Sequence, residues 1–187
     1  MLIKKYQFGE FTQTFLSDNF SGEIKISKPR GKGMSLDEMP NGRIVMFAGG
    51  TGIHPYCDLI DLLYKETLVQ QNQPLSNEII GLNPLVKQRT LTERWKFCLY
   101  VAVHDTDDIH ELTVFQLNHL SKSKTMEVFL RASHRPADFS KSYPDIAIID
   151  KRFDHYVPEL AQQLDKISQI YMCGPPPMTA ALYKCFG

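Results

Sequence analysis

After residue 40 the chain alternates short, continuously apolar runs with longer stretches whose apolar residues recur every three or four positions. "GRIVMFAGG", 42–50, is an apolar run closed by glycine, as expected of a strand buried on both faces. "HPYCDLIDLLYKETLV", 54–69, sets Leu59, Leu62 and Leu63 at helical spacing, with Pro55 in a first turn that tolerates it. "KFCLYVAV", 96–103, predicts the second strand. The following "DTDDIHELTVFQLNHL" predicts a helix capped by Asp105 or Thr106, with Ile109, Leu112, Phe115, Gln116 and Leu120 mainly on one side. "TMEVFLRAS" from 125 is a third strand, "YVPELAQQL" a short helix, "QIYMCG" from 169 another strand and "PPPMTAALYKCFG" a last helix. Repeated strand-then-helix order implies parallel strands joined by right-handed crossovers, hence an α/β fold with an open, doubly wound sheet.

Two segments break the alternation. Residues 71–94 form a long polar link between the first helix and the second strand, expected to be an insertion with its own turn of structure. The first 40 residues mix a possible helix, "FGEFTQTFL", with an alternating strand pattern, "GEIKISKP", and a turn, "RGKGM". They resemble the tail of a second domain, giving an expected division into 1–40 and 41–187.

Composition narrows the partners. The 187 residues carry 21 Lys and Arg against 21 Asp and Glu, so no long-range field attracts nucleic acid or an anionic membrane. Cys57, Cys98, Cys173 and Cys185 lie too far apart for a CxxC metal knuckle, and a reduced, intracellular setting is the simpler reading. No apolar run approaches the roughly 20 residues that span a bilayer. The expected location is the cytoplasm or the cytosolic face of a membrane.

The chemistry concentrates where strands end. In an open α/β sheet, ligands bind beyond the carboxyl ends of the strands. Gly49, Gly50, Thr51 and Gly52 stand at that point after the first strand, where glycine admits a pyrophosphate and the helix start favours an anion. A tight turn uses the same residues for their dihedrals alone, and "GGTG" by itself leaves both readings open. It lacks the Lys of a Walker loop and the spacing of GxGxxG. "YMCGPPPM", 171–178, ends another strand with three prolines that stiffen the loop into a preformed wall. Cys173 there offers a polarizable thiol to a planar ring.

"AGGTGIHP", "VAVHDTDDIHELTVFQL" and "CGPPPM", in that order, resemble the pyridine-nucleotide domain of the ferredoxin-NADP reductase superfamily. The branch most similar is that of the flavin-dependent cytochrome b5 reductases and nitrate reductases. The resemblance covers 43–187 and implies an NAD(P)H-binding domain that passes hydride to FAD, with electrons going on to a haem or iron-sulfur acceptor. It implies that Gly49, Gly50, Thr51 and Gly52, with His54 and Pro55, hold the dinucleotide phosphates and nearby ribose. Cys173, Gly174 and Pro175 then border the nicotinamide, and Cys173 takes the catalytic role of orienting it. Met178 is expected to pack beneath the loop.

The N-terminal piece is similar to the end of the family's flavin-binding β-barrel. Gly9 and Thr12 match the element that holds the flavin pyrophosphate, Pro29 and Gly31 keep the final-strand pattern, and Glu23 and Lys28 depart from it. The family's R-x-Y-S/T flavin motif is absent. The chain is therefore expected to be a piece of a longer enzyme, inactive or nearly so by itself. "RASHRPADF" places Ser133 and Arg135 like the Ser-Arg pair of NADP-using members, which tilts the cofactor toward NADPH. Asp138 and Asp105 pull the other way, so NADH stays open.

The remaining polar residues take bland roles. His104, His110 and His119 are expected at the surface or in capping, "DKRFDH" at 150–155 in a solvated loop, and "SKSK" at a helix end. The alternative function is a degenerate or regulatory nucleotide-binding module without catalysis. His54 favours it, because the family usually has Thr or Ala there. A flavodoxin-like mononucleotide domain is a further rival, and the long gap to "CGPPPM" argues against it.

Overall fold

The computed structural model describes residue 22 and residues 33–36, 39–71 and 91–186. Gly9 and Thr12 lie outside these residues, as does most of the 71–94 insertion. The chain divides into two compact units, Met1–Met39 and Pro40–Gly187, and the second holds all the elements below.

Five parallel strands form one sheet: β1 (Gly42–Gly49), β2 (Trp95–Asp105), β3 (Met126–His134), β4 (Ala147–Ile148) and β5 (Ile167–Cys173). Their order across the sheet is β4-β3-β2-β1-β5. The chain thus steps outward from β1 to β4, then returns to the other side of β1. The order reverses between β1 and β5, which is the switch point where ligands bind in such sheets.

Burial explains the strand sequences. β1 is buried from Ile44 through Gly49, because β2 and β5 cover its edges and helices cover both faces. One face carries α1 (Cys57–Gln70) and α3 (Glu111–Lys122), which pack on each other. The other carries the short α5 (Val157–Ala161) and α6 (Pro176–Phe186). There Val45, Phe47, Cys98 and Tyr100 meet Phe153, Val157, Leu160 and Leu182 in one cluster. Tyr100 is sandwiched between Phe47 and Phe129, with ring centroids 5.1 and 4.7 Å away. Burial of Tyr100 pushes its phenol well above the ordinary value.

Several expectations change. The helix expected across 105–120 divides into a 3-10 turn, Thr106–Asp108, and α3. Asp105 caps the turn by accepting from Asp107 N, whereas His110 caps α3 through Leu112 N. This later start turns the helix, so Leu112 and Phe115 are 55% and 50% exposed while Thr113, Val114 and Leu117 face the core. The charged stretch 150–155 is not wholly solvated: Phe153 is buried in a 3-10 turn, Phe153–His155. Two further short helices, α2 (Leu91–Arg94) and α4 (Phe139–Ser142), complete the described elements with 3-10 turns.

The link from α1 to β2 is pinned at its exit by a buried carboxylate. Glu66 of α1 accepts from Leu91 N, Thr92 N and the Thr92 hydroxyl, the last at 2.9 Å. Those amides open a helix and have no partner within it, so Glu66 acts as a cap from 25 residues away.

Candidate functional site

The loop after β1 is itself helical. Gly50–Tyr56 is a 3-10 helix that runs directly into α1, so the first free N–H groups of the combined helix belong to the glycine loop. Gly49 supplies no side-chain cap, and no acidic residue lies in the first turn. Amide groups and dipole there favour an anion.

The glycines divide the work. Gly50 has φ +55°, and a Cβ added to it would meet nothing within 4 Å, so this residue sets the turn and faces open space. Gly49 and Gly52 are held against the other motif. A Cβ on Gly52 would fall 2.1 Å from the carbonyl oxygen of Cys173, and one on Gly174 would fall 2.9 Å from Gly49 N. Register explains the approach: Ala48 pairs with Cys173, so the two loops leave the sheet side by side. Met178 closes the underside, its sulfur 2.7 Å from the position a Gly49 Cβ would take.

Tyr56 locks the arrangement from behind. It is buried, and its hydroxyl donates to the Phe47 carbonyl at 3.3 Å. Burial first, then nearby Cys173 and Tyr171, raise its phenol above the usual range, so it stays neutral. Cys173 ends β5 half-buried, and Pro175 after it is exposed.

The open ground over Gly50 and the uncapped amides suit a dinucleotide pyrophosphate, and the stiff loop beside them suits a flat ring. A family model described as the oxidoreductase NAD-binding domain matches residues 46–184, both motifs included. This chain belongs to that family.

Relatives of this NAD-binding domain come from both cofactor types by name. Over 186 residues the chain is 25% identical to NADH-cytochrome b5 reductase 1 of Candida albicans, covering 98% of this chain and 52% of that protein. Over 165 residues it is 27% identical to the chloroplastic ferredoxin–NADP reductase, root isozyme 2, of Arabidopsis thaliana, covering 86% and 36% respectively. The chain thus spans about half, or less, of the length of these relatives. Among solved structures it is similar to the cytochrome b5 reductase domain of Ulva prolifera nitrate reductase, at 20% identity and a TM-score of 0.42, covering 79% of this chain and 47% of that one.

Within the NAD-binding domain, not every sequence-selected residue meets at one point. Gly49 and Gly52 are buried against Gly174 and Cys173, with Gly50 and the exposed Thr51 in the same turn. His54 and Pro55 sit in the next turn, His54 half-buried. Ser133 and Arg135 are exposed at and just beyond the end of β3, separated from β1 by the whole of β2. Sequence reading missed Tyr56, whose role depends on its contact with β1, and His104 with His134, whose rings meet from different strands. Two open clefts, about 460 and 590 Å³, lie at the opposite edge of the sheet around Trp95, Lys96 and Glu127, and include none of the motif residues. Among the described residues no cluster of three or more His, Cys, Asp or Glu could hold a metal, and no helix is long and apolar enough to cross a membrane.

Proposed function

We propose that this chain is the nucleotide-holding half of a flavin-dependent NAD(P)H oxidoreductase of the cytochrome b5 reductase type. The carrying observation is the contact of Gly52 with the Cys173 carbonyl at the β1–β5 switch point, which joins the phosphate-type loop to the proline-stiffened one. In this reading the amides of Gly50, Thr51 and Gly52 bind the pyrophosphate, and the Thr51 hydroxyl adds a donor. Cys173, Gly174 and Pro175 border the nicotinamide. Pro175 and Pro176 supply no N–H groups, so the wall they form is stiff and presents no competing donors. Ser133 and Arg135 serve the adenosine end.

The bound dinucleotide supplies hydride chemistry; the chain supplies position. Cys173 sets the ring by van der Waals contact of its sulfur, and Tyr56 holds the backbone beneath it. The hydride acceptor in this reading is FAD on a flavin domain, and the final acceptor is a haem or iron-sulfur centre. The chain spans about half of its relatives, so it is proposed to bind nucleotide and to turn over little or not at all by itself.

Titrating the purified chain with NADPH and NADH by calorimetry, with a visible spectrum recorded beforehand, tests this. Binding of at least one nucleotide below millimolar concentration by a colourless protein is expected. No binding at millimolar levels overturns the nucleotide reading, and a yellow protein as purified overturns the expectation of an incomplete flavin site.

A further inference from the structure

One side chain fills the seam between the two loops. Met178 stands in the first turn of α6, where its N–H donates to the Pro175 carbonyl at 2.9 Å. Its thioether lies against Gly49 of the first loop and Gly174 of the second. A Cβ on Gly49 would fall 2.7 Å from the Met178 sulfur and 3.3 Å from its methyl carbon, and a Cβ on Gly174 would fall 2.6 Å from that same methyl. Pro175 Cδ closes a further side, 2.7 Å from the Gly49 position. Both glycines thus leave room for a single thioether, which on its other side packs against the cluster of Phe47, Phe153 and Leu182.

Leucine has a similar volume and exchanges with methionine at small cost in packed sites. What methionine adds is a sulfur that peroxides oxidise. Met178 is half-buried beside the exposed Pro175–Pro177 stretch, whereas Met46 and Met126 are fully buried. Met172 is also half-buried, yet it is not among the atoms nearest either glycine.

Resting on the nucleotide reading, we propose that Met178 is an oxidation site that regulates this nucleotide site: its conversion to the sulfoxide forces the β1 and β5 loops apart and releases the dinucleotide. The oxidant is a hydroperoxide such as hydrogen peroxide. The sulfur lone pair attacks one peroxide oxygen, an S–O bond forms as the O–O bond breaks, and the proton of the transferred oxygen passes to the departing one, which leaves as water. Sulfur loses two electrons and the peroxide gains them. The added oxygen is polar and needs space in a seam already filled by the thioether, while the cluster beneath offers mainly hydrocarbon. Reduction of the sulfoxide by a dithiol-driven reductase returns the thioether and closes the seam.

The test treats the whole chain with graded hydrogen peroxide and then with dithiothreitol to reverse cysteine oxidation. Peptide mass spectrometry maps the sulfoxide at each methionine, and calorimetry measures NADH and NADPH binding. Affinity of the oxidised chain should fall by about tenfold or more, in step with the sulfoxide at Met178 rather than at Met34, Met39 or Met172. The two methionine sulfoxide reductases, one for each sulfur epimer, should restore it. In Met178→Leu, treated and untreated chains should bind alike, whatever the starting affinity of the variant. Should that variant fail to fold, the peroxide series and its repair in the wild-type chain decide by themselves. Full affinity with Met178 oxidised overturns the proposal, as does a Met178 that stays reduced while Met172 oxidises. A loss of binding that dithiothreitol alone reverses assigns the effect to cysteine and overturns it too. These outcomes leave the nucleotide reading standing, whereas an untreated chain that binds neither nucleotide overturns both.

Discussion

Gly52 approaches Cys173 so closely that a methyl group in place of its hydrogen would fall 2.1 Å from the Cys173 carbonyl oxygen. Backbone stands on both sides of this contact, so neither can swing away as a side chain would. Gly52→Ala is therefore expected to push the two loops apart, lower the melting temperature and weaken nucleotide binding by more than about tenfold, a loss of about 1.4 kcal/mol. Calorimetry with NADH and NADPH on the variant checks this, and wild-type affinity would separate the contact from binding.

Gly50→Ala should behave differently. Its φ of +55° strains an L-residue by about 1–2 kcal/mol, yet a Cβ there meets no atom within 4 Å. Urea unfolding should show that modest loss with the loops still joined. Any larger affinity loss than stability loss then reports a ligand lying over Gly50.

Glu66→Ala removes the acceptor for Leu91 N, Thr92 N and the Thr92 hydroxyl. Leu91 is buried, so its amide would lack a partner, and a stability loss of about 1–3 kcal/mol is expected. The urea midpoint should fall while nucleotide affinity, proposed to be set by the loops after β1 and β5, holds.

His119 gives a pH prediction. Burial, and then the Lys122 charge, lower its folded pKa below the ordinary histidine value. The unfolded chain then binds a proton more readily, so this group's contribution is intact above the unfolded pKa of about 6.5 and is lost as pH falls toward the folded value. Melting curves across pH 5–8 should show a drop on the acid side that His119→Gln reduces. A variant with an unchanged acid slope contradicts the assignment.

Phe47 stands fully buried at the meeting of Tyr100, Phe153 and Phe186. Phe47→Ala should cost about 3–5 kcal/mol, readable as an earlier urea transition.

Much of this organisation was legible in the sequence because parallel strands buried on both faces leave continuous apolar runs, as Ile44–Ala48 and Phe97–Val101 do. Glycines and prolines marked the two loops for similar reasons of backbone geometry. What escaped depends on contacts between distant segments. β4 is two residues long, held by pairing with Phe129 and Leu130, and has no room for periodicity. The face of α3 was misread because the 3-10 turn before it delays the helix to Glu111, a boundary fixed by His110. Phe153 hides among charges, and its burial comes from α5, α6 and the aromatic rings of β1 and β2. The roles of the glycines separated only when the loop from β5 was beside them.

The most direct measurement is a backbone amide NMR titration of the chain with NADPH and with NADH. Joint saturating shifts at Gly50, Thr51 and Gly52 after β1 and at Cys173 and Gly174 after β5 are the predicted result, from one binding event. Shifts confined to one of these loops, or centred instead on Arg43, Trp95 and Lys96 at the opposite edge, would contradict a single dinucleotide site built from both motifs.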